Sequence, residues 1–307
     1  MTWIEKSGDS TFAVRYSRLD GTSWTTPSTI VERRDLFVNW ADFPAVAAAP
    51  SGRLVAHWLQ RSGDGKYAYD VRYAQSSDSG RTWSEGAVLH RDGKAAEHGF
   101  LTFWAGASDT IHAAWLDGRH MTGGHDKGAM SVQSTGIAAD GSLGAEVALD
   151  LRNCECCQVN SAVSGRGPVV VYRDRSEDEV RDISVVRLVN GSWTAPTRVH
   201  EDGWQIAACP VNGPAISARG DTVAVAWFTG ARDTARVNVA WSFDAGATFG
   251  APTRVDGGTP AGRVDIELLT DGTAAVSWLE RVPPEAAAVQ LRRIRTDGTT
   301  GPTITVA

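Results

Sequence analysis

No stretch of this 307-residue chain stays apolar for 18 residues in succession, so none is expected to cross a bilayer as a helix. Long amphipathic helical patterns are missing as well, which leaves an all-β reading. Positive charge is neither abundant nor concentrated. Lys and Arg number 30 against 36 Asp and Glu, and the net charge of −6 with no basic stripe excludes a nucleic-acid partner. A leader is not legible either, because Met1 runs directly into Thr2–Glu5, already a strand-like run. The chain is therefore read as a mature or trimmed form of a periplasmic or secreted protein. Cysteine is scarce, with four in the whole chain, so a disulfide-dense miniature scaffold does not apply. What is plentiful is Gly, at 32, and Trp, at 12, pointing to many tight turns and many large buried rings.

The rings recur at a fixed period. A short apolar strand ending in an aromatic residue appears as Leu54–Trp58, Ile111–Trp115, Val169–Tyr172, Val223–Trp227 and Ala274–Trp278, and the chain opens on the tail of a sixth copy at Trp3. Successive aromatics are 55, 57, 57, 55 and 51 residues apart, and each interval holds four short strand-like runs separated by Gly, Asp and Asn turns. A four-stranded unit of that length is a propeller blade. The expected architecture is one domain over residues 1–307, a six-bladed β-propeller of four-stranded antiparallel blades. Its approximate units are 1–38, 39–96, 97–153, 154–206, 207–260 and 261–307, and the first lacks its innermost strand.

A second motif accompanies the first. Ser77–Trp83 and Ser242–Phe249 fit the pattern S-x-D-x-G-x-T-[WF], and Asp20–Trp24, Asn190–Trp193 and Asp297-Gly298 are degenerate copies. The physics is that of a hairpin turn: the acid accepts backbone N–H bonds, Gly takes positive φ, and the ring packs beneath. These boxes are read as scaffold.

Chemistry is expected where each innermost strand begins, around the channel mouth. The lead-in segments are 39–44, 97–100, 154–160, 209–213 and 263–267. All four cysteines fall in two of them, as C-x-C-C at Cys154, Cys156 and Cys157, and as Cys209. Thiolates with one or two imidazoles suit soft ions. The proposed donors are therefore Cys154, Cys156, Cys157 and Cys209, helped by His98 or His125, with copper ahead of zinc. Structural disulfides and thiol redox chemistry compete with that reading. His57 and His112 are read as packing residues, and His90 and His200, at strand ends, as solvated.

The boxes and blade period together resemble the sialidase (neuraminidase) superfamily, as a divergent branch carrying a cysteine-rich segment. The resemblance covers nearly the whole chain as architecture and says little of the reaction. It implies an arginine triad gripping a substrate carboxylate, a Tyr nucleophile assisted by Glu, and an Asp acid/base. The corresponding candidates here are Arg119, Arg173 and Arg175, with Arg232 and Arg263 behind them, then Tyr172 with Glu177 or Glu267, and Asp42 or Asp265. The chain departs from the family in having no Phe/Tyr-Arg-Ile-Pro motif, and the nearest counterpart, Asp42-Phe43-Pro44, has no arginine. An exo-sialidase acting on an acidic glycan is thus the alternative to the metal or thiol site, and a non-catalytic interaction propeller with structural disulfides is the third reading.

Overall fold

The computed structural model describes residues 1–121, 128–284 and 286–307. The chain divides into two compact units, Met1–Leu151 and Arg152–Ala307. Both are built from antiparallel sheets in chain order, and among the described residues the sole helical element is the 3-10 turn Ala231–Asp233. Among the described residues no helix is long and apolar enough to cross a membrane.

The first unit holds a three-stranded sheet (Thr2–Lys6, Phe12–Tyr16, Ser28–Arg33), the small hairpin Leu19–Asp20 with Ser23–Trp24, and two four-stranded sheets. These are Val46–Ala48, Leu54–Arg61, Tyr69–Ser76 and Ala87–Val88, then His98–Ala105, Ile111–Asp117, Met130–Ile137 and Val147–Asn153, whose last residues reach the unit boundary. In the second unit, Asn160–Ser164, Gly167–Arg173 and Ile183–Val189 form a sheet completed by Ser192–Trp193 and Thr197–Arg198, which both pair with Ile183–Val189. Two four-stranded sheets follow. The first is Ala215–Arg219, Thr222–Thr229, Arg236–Ser242 and Thr253–Arg254, and the second is Pro260–Leu268, Ala274–Val282, Ala286–Ile294 and Ile304–Thr305.

The recurring aromatics explain the layering. Trp58, Trp115, Tyr172, Trp227 and Trp278 all lie on the second strand of their sheets and are all buried. Trp3 lies on the first strand of the three-stranded sheet, so that sheet lacks the strand that precedes the aromatic elsewhere. Side chains two apart on a strand share a face. Hence Trp115 Nε1 donates to Asp117 at 2.8 Å and Trp278 Nε1 to Glu280 at 2.6 Å, an acceptor supplied two residues along. Within each unit, apolar clusters fill the gaps between consecutive sheets. Val14, Leu54 and Trp58 pack together in the first, and Ala226, Trp241, Val276 and Trp278 in the second.

The two full turn motifs fold alike to within about 0.1 Å. Thr82 N and Oγ1 donate to Asp78 at 2.9 and 2.7 Å, as Thr248 N and Oγ1 do to Asp244 at 2.9 and 2.7 Å. The serine that closes the first turn is Ser76, not the expected Ser77: its hydroxyl takes the Gly80 N–H at 2.9 Å, as Ser242 takes that of Gly246 at 2.8 Å. Gly80 sits at φ 84°, and a Cβ there would fall into the Tyr16 ring. Gathering several donors holds the Asp78 carboxyl well below the usual range; at Asp244 slight burial works the other way, yet the bonds from Thr248 and Ser242 bring it to about 2.

Candidate functional site

The C-x-C-C segment is a turn that leaves the strand Val147–Asn153 and precedes Asn160–Ser164. Its register is fixed at one end by Cys154 N, which donates to Arg173 O at 3.0 Å, and at the other by Gln158, whose side chain accepts from Gly213 N at 2.9 Å. The turn brings residues three apart together. Cys154 Sγ lies 2.6 Å from Cys157 Sγ and 3.9 Å from Cys156 Sγ, and the three sulfurs fall within 4.8 Å of one another. Cys209 comes from the next lead-in segment, and interaction with Cys156 lowers its pKa. None of the four is in a disulfide; Cys154 and Cys157 are buried and Cys209 is exposed.

Two arginines and two glutamates surround this cluster. Arg181 donates to Cys154 Sγ at 3.3 Å, to Glu155 Oε2 at 2.8 Å and to Glu179 Oε2 at 2.8 Å. Arg175 donates to Glu179 Oε1 at 2.6 Å and pairs with Glu155 Oε1. Glu155 is buried between the two guanidiniums, which is why a carboxylate inside a cysteine motif is tolerated. Arg173, also buried, is held by the carbonyls of Asn212, Arg181 and Phe228 at 2.8, 2.6 and 2.6 Å and lies 4.8 Å over the Trp204 ring. Asn212 in turn accepts from Arg263 N at 2.9 Å. The lead-in segments at 154–160, 209–213 and 263 are therefore tied directly to one another.

The thiols divide into two kinds. Burial alone pushes Cys154 up, but hydrogen bonds from Cys156 and Cys157, together with Arg181, bring it well below the ordinary thiol range. Cys209 is lowered chiefly by its bond from Cys156. Cys156 is raised by its hydrogen bonds to Cys154, Cys157 and Cys209, and Cys157 is raised by burial and then by Cys154. The cluster thus sets one sulfur, Cys154, whose pKa its neighbours lower, beside two thiols, Cys156 and Cys157, that are raised, next to a cationic guanidinium. Such sulfurs are nucleophiles and soft-metal donors.

His98 lies in the first unit. It groups with Asp92 and Asp117, and also with Asp70 and His90, all in the first unit. His125 lies outside the described residues. Arg119 is committed to Asp117 at 2.6 Å and Glu146 at 2.8 Å. Tyr172 is wholly buried, Glu177 is exposed, and Asp265 is exposed on its strand. Asp42 is buried in the first unit, accepts the Phe100 N–H and is pushed up to about 7, mainly by desolvation. Reasoning from sequence passed over Arg181 and Glu179. The available signal was the dense run of charge over Arg173, Arg175, Glu179 and Arg181, which follows closely on the cysteine segment. A surface hollow lined by Trp241, Phe243, Asp244, Thr248, Phe249 and Asp297 contains none of the cysteines.

No protein-family model matches the chain, and no curated protein matches it. Solved structures do. The BP39L lectin from Burkholderia pseudomallei is 14% identical with a TM-score of 0.65, covering 97% of this chain and 78% of its own. A polysaccharide lyase of family PL25, an ulvan lyase bound to -[GlcA(1-4)Rha3S]-, is 13% identical with a TM-score of 0.56, covering 91% and 70%. The NanB sialidase of Streptococcus pneumoniae, as its K499G mutant, is 12% identical with a TM-score of 0.55, covering 84% of this chain. The chain spans 59% of that sialidase's length. At these identities the likeness is one of fold: the chain has a sialidase-like β-propeller fold shared by a lyase, a sialidase and a lectin.

Proposed function

We propose that this chain is an extracytoplasmic six-bladed propeller whose cysteine turn binds one soft transition-metal ion, copper(I) before zinc. The observation that carries the reading is the convergence of Cys154, Cys156 and Cys157 within 4.8 Å. The donor set is all sulfur, because His98 groups with carboxylates instead, and an all-thiolate set favours copper(I) over ions preferring nitrogen or oxygen. Metal–sulfur bonds of about 2.3 Å place tetrahedral sulfurs about 3.8 Å apart. The Cys154–Cys156 separation of 3.9 Å fits, and the Cys154–Cys157 pair must open by about 1 Å from 2.6 Å. Arg181 offsets the excess negative charge of the thiolates. Titration of the anaerobically reduced chain with copper(I) against a chromophoric chelator should give one ion per chain. Cys154→Ser and Cys157→Ser should each weaken it at least tenfold. A chain that never competes with the chelator rules the site out.

The short Cys154–Cys157 separation also favours a second reading. Two thiols so placed lose two electrons and two protons to an external oxidant, such as a disulfide of another protein, and close one S–S bond. A redox titration against glutathione separates the readings, since a metal site is blocked by oxidation and a redox pair is defined by it. The exo-sialidase alternative finds less support. Its arginines Arg119, Arg173 and Arg175 are committed to internal partners, and Tyr172 has no exposed surface.

A further inference from the structure

The first unit contains a second cluster of buried titratable groups. Its core is a pair of imidazoles, His90 and His98, stacked with ring centroids 3.6 Å apart and 6° between planes. Both are buried, which corrects the expectation that His90 at its strand end is solvated. The pair stands where the two four-stranded sheets of this unit meet. His98 opens the strand His98–Ala105, whose neighbour Ile111–Asp117 ends on Asp117, and Asp70 lies on Tyr69–Ser76 of the other sheet. His90 and Asp92 come from the connector 89–97 between those sheets. Backbone bonds pin the connector at both ends. Leu89 N donates to Val71 O at 3.0 Å, Tyr69 N to Ala96 O at 3.0 Å and Gly118 N to Glu97 O at 2.8 Å.

The contacts fix where the protons sit. His98 Nδ1 lies 3.1 Å from Tyr69 O and 3.2 Å from Ala96 O, carbonyls that only accept. His98 Nε2 lies 3.3 Å from Asp92 Oδ2 and 3.7 Å from Asp117 Oδ1. A ring whose two nitrogens both face acceptors is matched only as the imidazolium, which donates from both. His90 is set differently. Its Nδ1 stands 2.6 Å from Asp92 Oδ1 and donates to it. Its Nε2 lies 3.3 Å from Asp70 Oδ1, yet is buried and makes no hydrogen bond. A neutral His90 is therefore stacked on a charged His98. A proton added at His90 Nε2 faces Asp70, but it also sets two imidazolium faces 3.6 Å apart inside the protein, where like charges repel.

The surrounding charges divide the two rings in the same way. Burial opposes the charge on His98, but the bond to Asp92 and the charges of Asp117 and Asp92 outweigh it and raise its pKa. Burial lowers His90, and the charge of His98 lowers it further, against the pull of Asp92 and Asp70. Burial raises Asp92 and Asp117, but the imidazoles and, at Asp117, Arg119 hold both below the usual carboxylate range. Among the described residues, the charged groups facing the pair are thus Asp70, Asp92 and Asp117, with Arg119 behind Asp117.

We propose that His90 and His98 are a proton-operated latch on the connector 89–97. The single charge on His98 closes it, and a second proton, taken from solvent past the partly exposed Asp70 onto His90 Nε2, sets like charges face to face and opens it. Opening frees the connector from Tyr69–Ser76 and uncovers the start of His98–Ala105. The two rings act with opposite signs. His98, raised, favours the fold below its unfolded value of 6.5 and withdraws that support as pH rises through its folded value. His90, lowered, costs stability as pH falls from 6.5 toward its folded value. The latch is therefore tightest near 6.5 and loosens on either side. Asp92 and Asp117, both lowered, withdraw their share only as pH falls below the unfolded value of 3.8.

Isotopic labelling of the histidine nitrogens in the full chain lets NMR read their protonation directly. At neutral pH His98 should carry a proton on both nitrogens and His90 on Nδ1 alone. On acidification His90 should take its second proton below the ordinary histidine value. The amides of Leu89 and Tyr69, corrected for intrinsic rate, should then exchange about tenfold faster or more. His98→Gln removes the stacked charge and should move the His90 midpoint up. Asp70→Asn, isosteric and only partly buried, removes the carboxylate facing Nε2 and should move it down. Thermal melts check that both variants fold, and the parent spectra decide the matter if His98→Gln does not. The proposal is overturned by a neutral His98 at neutral pH, or by a His90 midpoint at or above the ordinary value. It fails equally if that midpoint ignores both substitutions in folded protein, or if amide exchange ignores the His90 transition.

Discussion

Replacing Arg181 by Gln removes the cation that, among the described residues, is bonded to a cysteine sulfur, while keeping a side chain that donates. Opposite unit charges 3.3 Å apart interact by about 5 kcal/mol at an effective dielectric near 20. Arg181 shares that charge with Glu155 and Glu179 at 2.8 Å each, so much of it is already neutralised. The working expectation is a rise in the Cys154 thiol pKa, because the guanidinium joins the hydrogen bonds from Cys156 and Cys157 in lowering it. Two readouts follow. In the reduced protein, the ultraviolet thiolate absorbance should titrate at higher pH. Copper(I) affinity should fall at least tenfold at neutral pH and return to the parent value once the medium is alkaline enough to ionise the thiol regardless. Stability carries the same sign. A thiol lowered by folding contributes stability that is fully present above the unfolded value near 8.5 and is lost as pH falls through the folded one, so the parent gains stability across that window and Arg181→Gln gains less. Arg181→Lys keeps the charge and should track the parent. If the Arg181→Gln thiolate curve superposes on the parent's, the guanidinium does not set the sulfur's charge state and the reasoning fails.

Three further outcomes are expected. Asp42 rises from 3.8 to about 7 on burial, so it favours the fold below its unfolded value and withdraws up to about 4 kcal/mol as pH climbs to 7. Asp42→Asn should flatten that decline in a urea-midpoint series from pH 4 to 8, and an unchanged slope refutes it. Glu155→Gln leaves two buried guanidiniums short of their shared anion and should cost about 3–5 kcal/mol by chemical denaturation. Asp244→Ala strips the second turn of its Thr248 and Ser242 bonds and should lower stability by about 1–2 kcal/mol; a loss below a few tenths, seen by calorimetry, makes the turn ornamental.

The sheets were legible because one constraint repeats. A strand buried on both faces needs a large ring at the same place each time, and Trp58, Trp115, Tyr172, Trp227 and Trp278 supply it. The sulfur turn was legible in part: counting from the rings singled out Cys154–Cys157, and Cys154, Cys156 and Cys157 do converge. The partners were not legible. Arg181 lies 27 positions from Cys154, and what joins them is a strand pairing that leaves no mark on either residue. His90 misled for a related reason. A strand end looks exposed in one dimension, yet Asp92, two residues later, turns back over it and stacks it on His98. Charge pairs between strands answer to geometry, whereas apolar periodicity answers to the strand itself.

Arg173 fastens the sulfur turn to its surroundings without using a sulfur. Its three guanidinium nitrogens each donate to a carbonyl, of Asn212, Arg181 and Phe228, and its own carbonyl takes the Cys154 N–H. The mounting of the cysteines is thus independent of their chemistry. In the metal-binding reading proposed above, an ion would enter among the sulfurs without drawing on the Arg173 bonds that hold the turn in place.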